Sequence, residues 1–131
     1  MICPSNPLIS IEPILALPGI RDALLTCAAP VVAVSPIVGG RAVKGPTAKM
    51  MTEFGHTPSA GEVARRYAAF LDGYVFDAMD PPPAASFDLR MIATQTVMTT
   101  LEDREALARA VLDLADSLSR ESAAGPEPAR R

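Results

Sequence analysis

An unbroken apolar run at residues 31–34, VVAV, lies between Pro30 and Pro36 and is the feature that most constrains the fold. Three of its four residues are valines, whose branched β-carbons favour extended backbone. Because the run shows no alternation of apolar and polar residues, it is typical of a strand that is covered on both faces. Strands of this kind occur in the parallel sheets of α/β proteins, so the run predicts that class of fold.

The residues that follow this strand predict a site for an anion. Gly39 and Gly40 permit backbone angles that can place successive amides around a phosphate, and Lys44 adds a positive charge beside them. Gly45 and Pro46 suit the N-cap and the first position of a helix. The positive end of that helix would then point at the same pocket.

Composition excludes several classes of function. The chain has 131 residues, enough for one domain, and its formal net charge is −3 with scattered basic residues. This charge pattern argues against a nucleic-acid or membrane surface as partner. No signal peptide or membrane helix is predicted, which indicates a cytoplasmic protein. Cys3 and Cys27 show no metal or redox spacing, so we expect reduced structural cysteines.

Short strands and helices alternate along the chain. Strands are predicted at residues 1–3, 30–35, 74–76 and 91–97, and helices at 11–24 in two pieces, 46–54, 59–71 and 99–118. This order predicts an α/β fold: a portion of a doubly wound, mostly parallel, Rossmann-like sheet with flanking helices. Residues 80–85 are expected to be a stiff exposed connection, and residues 120–131 a disordered tail.

Local signals give several element boundaries. Ser59 with Glu62 fits a capping box, as does Thr99 with Glu102, and Gly73 is expected to end the helix that Ser59 begins. Pro18 is expected to open the second piece of the first helical region. The core is expected to include Met50, Met51 and Phe54.

Two turns are predicted at the carboxyl ends of the first two strands, where sheets of this class bind ligands. One contains Ser5 and Asn6, and the other runs from Ser35 to Lys44. Side chains of serine and asparagine can bond phosphate, ribose or a base edge. The alternative is that these residues only form local turns and that the glycines only permit a tight bend.

Other polar residues are interpreted as structural. His56, the only histidine, is expected to be a solvated loop residue, and Asp77 and Asp80 are expected on a surface loop rather than in a magnesium site. The charges of Arg65, Arg66 and residues 102–109 are interpreted as solvated helix faces.

Several segments together go beyond generic turn chemistry. They are residues 4–7 (PSNP), 10–21 (SIEPILALPGIR), 29–40 (APVVAVSPIVGG), 44–46 (KGP) and 49–51 (KMM). This series closely resembles the 2-phospho-L-lactate transferase (CofD-like) family, described as phosphoenolpyruvate transferases in actinobacterial relatives. The resemblance covers about residues 2–118.

The resemblance implies a magnesium-dependent transfer in the biosynthesis of coenzyme F-420. A hydroxyl of the deazaflavin precursor Fo would attack the phosphorus that bears lactate or enolpyruvate in a guanosine diphosphate ester, and GMP would leave. The positions that match the family's motifs are Ser5, Asn6, Ser35, Gly39, Gly40 and Lys44. We expect them to hold the guanosine diphosphate portion.

The chain also departs from the family's pattern. Relatives begin with a glycine-rich nucleotide-binding segment and carry, in their amino-terminal half, an aspartate and an arginine that contact the deazaflavin. Residues 1–119 are therefore expected to be the carboxyl-terminal part of the domain, with the catalytic residues and Mg²⁺ ligands in a missing amino-terminal half. No metal ligand is assigned here. Homo-oligomers, a partner-dependent half of a split enzyme, a noncatalytic nucleotide-phosphate binding module and a fragment that binds nothing stay open as alternatives.

Overall fold

A computed structural model describes residues 1–83 and 89–124. A π-helical turn, Pro7–Ile11, precedes the first α-helix. The α-helices are α1 (Glu12–Leu15), α2 (Ile20–Leu25), α3 (Thr47–Glu53), α4 (Ala60–Tyr67) and α5 (Leu101–Ala124). The strands are β1 (Val32–Val34), β2 (Ile37–Val38), β3 (Arg41–Ala42), β4 (Gly73–Asp77) and β5 (Arg90–Thr94).

The main sheet is parallel, with strand order β1-β4-β5. Val32 is in register with Gly73, and Val75 with Ile92. The predicted first strand is present as a single parallel bridge from Ile2 to Ala33 on the outer side of β1. The parallel sheet confirms the predicted α/β fold class.

Helices pack on both faces of this sheet and form a hydrophobic core on each face. Successive side chains in and next to β1 point alternately into these two cores. Val31 and Ala33 pack in one core with residues of α1, α3 and α4, including Leu15, Met51, Val63 and Tyr67. The second core contains Val32, Val34, Val75, Leu107, Val111 and Leu114. Strands β1 and β4 are therefore buried on both sides, as the apolar run predicts for β1.

Helix α4 begins as predicted but ends earlier. The Ser59 hydroxyl accepts a hydrogen bond from the Glu62 amide at 3.1 Å, which confirms Ser59 as the N-cap, while the Glu62 carboxylate pairs with Arg65 and not with Ser59. The predicted stop at Gly73 is wrong, since α4 ends at Tyr67 and Gly73 is the first residue of β4. A β-carbon at Gly73 would lie 3.0 Å from side-chain atoms of both Leu114 and Leu118. Close approach of α5, and not a helix stop, is what requires glycine there.

Helix α5 differs from the prediction at both ends. The Thr100 hydroxyl accepts from the Asp103 amide at 3.2 Å, and the Asp103 carboxylate accepts from the Thr99 and Thr100 amides, each at 2.9 Å. The capping box is therefore Thr100 with Asp103 and not Thr99 with Glu102. The Thr99 hydroxyl, followed by these amides, lowers the pKa of Asp103 to about 2. At the other end the helix continues to Ala124, through the start of the predicted tail. Arg90 pairs with Glu121 at 3.2 Å there. Residues 125–131 lie outside the described residues.

Three smaller predictions also need correction. Helix α2 begins at Ile20, with Gly19 and not Pro18 at its start. Met51 is fully buried as expected, whereas Phe54, at the C-cap of α3, is 65% exposed. In the connection after β4, Pro83 is buried and not exposed; residues 84 and 85 of that prediction lie outside the described residues.

No helix within residues 1–83 and 89–124 is long and apolar enough to cross a bilayer.

Gly73→Ala and Gly61→Ala should change stability in opposite directions. The new methyl group at Gly73 would overpack the contact between β4 and α5, and we expect a loss of about 1–3 kcal/mol in the free energy of unfolding. At Gly61, inside α4, the nearest atom to an added β-carbon is 3.4 Å away. There alanine should leave stability unchanged or raise it by up to about 1 kcal/mol. Urea unfolding followed by circular dichroism measures both; an equal effect of the two changes would contradict this account of Gly73.

Candidate anion-binding cleft

A cleft of about 650 Å³ opens at the carboxyl ends of the parallel strands. The walls of the cleft are formed by the segments that follow Ile2, β1 and β5, by the start of α3 and by the first turn of α5. The residues that line it are Pro4, Ser5, Asn6, Ile9, Ser10, Ser35, Pro36, Val43, Lys44, Gly45, Pro46, Thr47, Thr96, Met98 and Arg104. Ligands of open α/β sheets bind at this edge.

Four of the six sequence-predicted site residues meet in this cleft: Ser5, Asn6, Ser35 and Lys44. Two of them also have local structural roles. The Asn6 side-chain oxygen Oδ1 accepts from the Leu8 amide at 2.9 Å and caps the π-helical turn. The buried Ser35 hydroxyl donates to the Ile37 carbonyl and accepts from the Ile37 amide, at 3.0 and 3.2 Å. These two side chains therefore shape the cleft wall as well as line it.

Gly39 and Gly40 lie in a β-hairpin and do not line the cleft. Their φ angles of +58° and +71° are left-handed at both positions, as in a type I′ turn between two antiparallel strands. The Gly39 amide already donates to the Asp80 carboxylate at 2.8 Å. The segment from Ser35 to Lys44 is therefore not a simple turn as predicted, because it contains β2, the glycine pair and β3.

Lys44 lies in the loop between β3 and α3, and it is exposed. The N-cap of α3 is Pro46 and the first helical residue is Thr47, one position later than predicted. Both line the cleft, so α3 does begin at this edge. A positive charge beside these residues makes this wall favourable for an anion.

Thr96 lines one wall of the cleft, and this wall is stabilised by Asp77 at the end of β4. Its carboxylate accepts from the Thr96 amide and hydroxyl at 2.8 and 2.9 Å and from the Met79 amide at 3.0 Å. Burial would raise the pKa of Asp77, but these hydrogen bonds outweigh burial and lower the pKa below its ordinary value. Asp77 is 3% exposed, so the prediction that it lies on a surface loop is wrong.

Arg104, one of the residues interpreted as a solvated helix face, is exposed and also lines the cleft. It lies in the first turn of α5, which crosses the second face of the sheet. Only the long-range packing of that helix brings it opposite the loop of Lys44. The helical periodicity of α5 predicts that Leu107 is buried. It does not predict that Arg104 shares a cleft with the loop of Lys44.

The charge of the cleft distinguishes it from a larger hollow at the other end of the sheet. Lys44 and Arg104 line the cleft, and no carboxylate is among its described lining residues. The other hollow, of about 810 Å³, is lined by Asp72 and Glu121 and has no cationic residue among those described. Phosphate chemistry therefore fits the smaller cleft.

The described residues do not form a cation site. No group of three or more histidine, cysteine, aspartate or glutamate side chains is close enough there to hold a metal ion. His56 lies away from the cleft, in the loop between α3 and α4 as predicted, where its ring contacts Glu62 at 3.0 Å and Arg66 at 3.3 Å and is therefore not simply solvated. Cys3 and Cys27 are free and exposed.

Comparison with known protein families gives a match over most of the chain. The family model described as "2-phospho-L-lactate transferase CofD" matches residues 1–117, nearly the whole chain. The chain belongs to the CofD family. The match includes every residue that lines the cleft.

Curated relatives of this CofD-family chain carry two names. The 2-phospho-L-lactate transferase of Methanosarcina barkeri is 41% identical over 121 residues, 90% of this chain and 38% of the relative. The phosphoenolpyruvate transferase of Streptomyces griseus is 39% identical, over 88% of this chain and 37% of the relative. The 2-phospho-L-lactate transferase of Halobacterium salinarum is 44% identical, over 86% of this chain and 32% of the relative. The chain thus spans less than two fifths of the length of these relatives.

Thr96→Val should destabilise the wall of the cleft. The valine keeps the shape but removes the hydroxyl donor from a buried carboxylate, and we expect about 1.5–3 kcal/mol lower stability near pH 7. Thr94→Val is the control, because the backbone carbonyl of Thr94, which the substitution keeps, accepts from the Ala78 amide just after β4 at 2.9 Å. Urea unfolding measures the difference. Equal stability of the two variants would show that the Thr96 hydroxyl does not support Asp77.

Proposed function

We propose that this chain supplies the donor-binding cleft of a transferase that moves a 2-phospholactyl or phosphoenolpyruvyl group from a guanosine diphosphate ester to the hydroxyl of Fo. GMP is the leaving group, and the reaction belongs to coenzyme F-420 biosynthesis. The support is the family membership, the names of the relatives and a cationic cleft at the ligand-binding edge of the sheet. The single observation that carries the proposal is Lys44 in a cleft whose described lining has no carboxylate.

The proposed chemistry explains why such a cleft is useful. Displacement at a diphosphate places negative charge on the nonbridging and leaving oxygens, and positive potential that is already in position lowers the barrier. Lys44 would act as a point charge beside the diphosphate. The Ser5 side chain and the main chain around Gly45 would provide hydrogen bonds, while Asn6 and Ser35 keep the walls in shape through their internal bonds.

Gly39 and Gly40 have a different part in this proposal. Their turn sets the path of β2 and β3, which leads the chain to Lys44, and Asp80 holds it through the Gly39 amide. Direct phosphate contact is therefore assigned to Lys44 and not to the glycine pair.

Magnesium does not fit the described residues as a bound ion. Magnesium sites use one or two carboxylates together with substrate phosphates, and the cleft offers no described carboxylate. Both carboxylate oxygens of Asp77 already accept hydrogen bonds, from Met79 and Thr96. We propose that any magnesium the transfer needs arrives with the diphosphate.

A second candidate function is noncatalytic binding of a nucleotide phosphate, by a binding module or by one half of a split enzyme. The observation that favours it is that the described cleft residues include no histidine, aspartate or glutamate that could remove a proton from an attacking hydroxyl. The two functions differ in one product: only the transferase releases GMP when the guanosine diphosphate ester and Fo are both supplied.

Lys44→Gln should weaken binding of GDP by about tenfold, because a hydrogen bond to a charged phosphate is lost. Arg41→Gln is the matched control: Arg41 is also exposed, lies three residues away and does not line the cleft. It should change the dissociation constant less than twofold. Equilibrium dialysis at fixed ionic strength measures both. Equal effects, or no binding of GDP by the unaltered chain, would contradict the proposed function.

A further inference from the structure

Arg104 is the second cation of the cleft, and helix stability does not explain its position. It lies at the fourth residue of α5, where the positive end of a 24-residue helix repels a cation. Farther along the same helix, Arg109 lies 3.8 Å from Glu105, and Glu121 pairs with Arg90. Arg104 has no such ion pair within the ranges that the structure describes. A bound anion would give its charge a partner.

The ligand of the proposed reaction has two anionic groups to hold. Both names of the relatives, 2-phospho-L-lactate and phosphoenolpyruvate transferase, specify a group that carries a phosphate and a carboxylate. The cleft likewise has two cations, a lysine and an arginine. An arginine guanidinium matches the planar carboxylate with two parallel hydrogen bonds, whereas lysine acts as a point charge.

We propose that Arg104 binds the carboxylate of the transferred group while Lys44 faces its phosphate. This assignment rests on the proposed function and deepens it by dividing the cleft into two anion subsites. Apolar side chains complete the arrangement: Ile9 and Met98 also line the cleft and are 56% and 39% exposed. They offer contacts to the methyl or methylene carbon that both groups carry beside the carboxylate-bearing carbon.

A pair of ligands isolates the carboxylate. Isopropyl phosphate has the skeleton of 2-phospho-L-lactate with a methyl group in place of the carboxylate. Arg104→Gln should weaken binding of 2-phospho-L-lactate about tenfold and binding of isopropyl phosphate less than threefold. Arg104→Lys should restore only part of the loss, because it returns the charge without the planar fork. Isothermal titration of the full chain and of each variant measures the affinity for both ligands.

Arg109→Gln is the matched control on the same helix, since Arg109 is exposed and does not line the cleft. It should leave both affinities within twofold, and thermal melting should be the same for all variants. An equal loss for the two ligands with Arg104→Gln would overturn the assignment, and so would a chain that binds GDP but not 2-phospho-L-lactate. If the chain still binds GDP when the Arg104 assignment fails, the proposed function stands. If the chain does not bind GDP, both the assignment and the proposed function are contradicted.

Discussion

Parallel pairing of β4 with β1 and β5 is the interaction on which the rest of the structure depends. This pairing buries β4 completely and brings the carboxyl ends of the strands to one edge. The alternation of side chains along β1 then requires a helical layer on each face, which puts α3 and α4 on one side and α5 on the other. The cleft lies where these two layers and the strand ends meet, so its residues come from distant parts of the chain.

The two edges of the sheet differ in charge, and this difference gives the cleft its chemical character. Cationic Lys44 and Arg104 line the carboxyl edge, and Asp72 and Glu121 line the amino edge. The Asp77 carboxylate is buried near the cationic edge, but three hydrogen bonds from Thr96 and Met79 satisfy it. Its charge is thus used to hold the wall. A chain with net charge −3 can in this way present a local site for a phosphate.

Predictions from the sequence succeed here where the physical cause is local or periodic. The apolar run of β1 and the cap of Ser59 depend on neighbouring residues alone, and both are confirmed. Glycines with positive φ occur in phosphate-binding loops and in type I′ hairpins alike. The presence of Gly39 and Gly40 in the sequence therefore does not predict which of the two forms. The burial of Asp77 depends on Thr96, 19 residues away, and the cleft position of Arg104 depends on how α5 packs across the sheet. Neither relation leaves a signal in the spacing of residues.

Mapping the GDP-binding surface of the chain by amide nuclear magnetic resonance tests the central claim most directly. The account predicts that the amide signals of Ser35, Lys44 and Thr96 shift as GDP is added, while those of Asp72 and Glu121 at the opposite edge do not. Largest shifts at Asp72 and Glu121, or no saturable shift at any residue, would contradict a phosphate-binding cleft at the carboxyl ends of the strands.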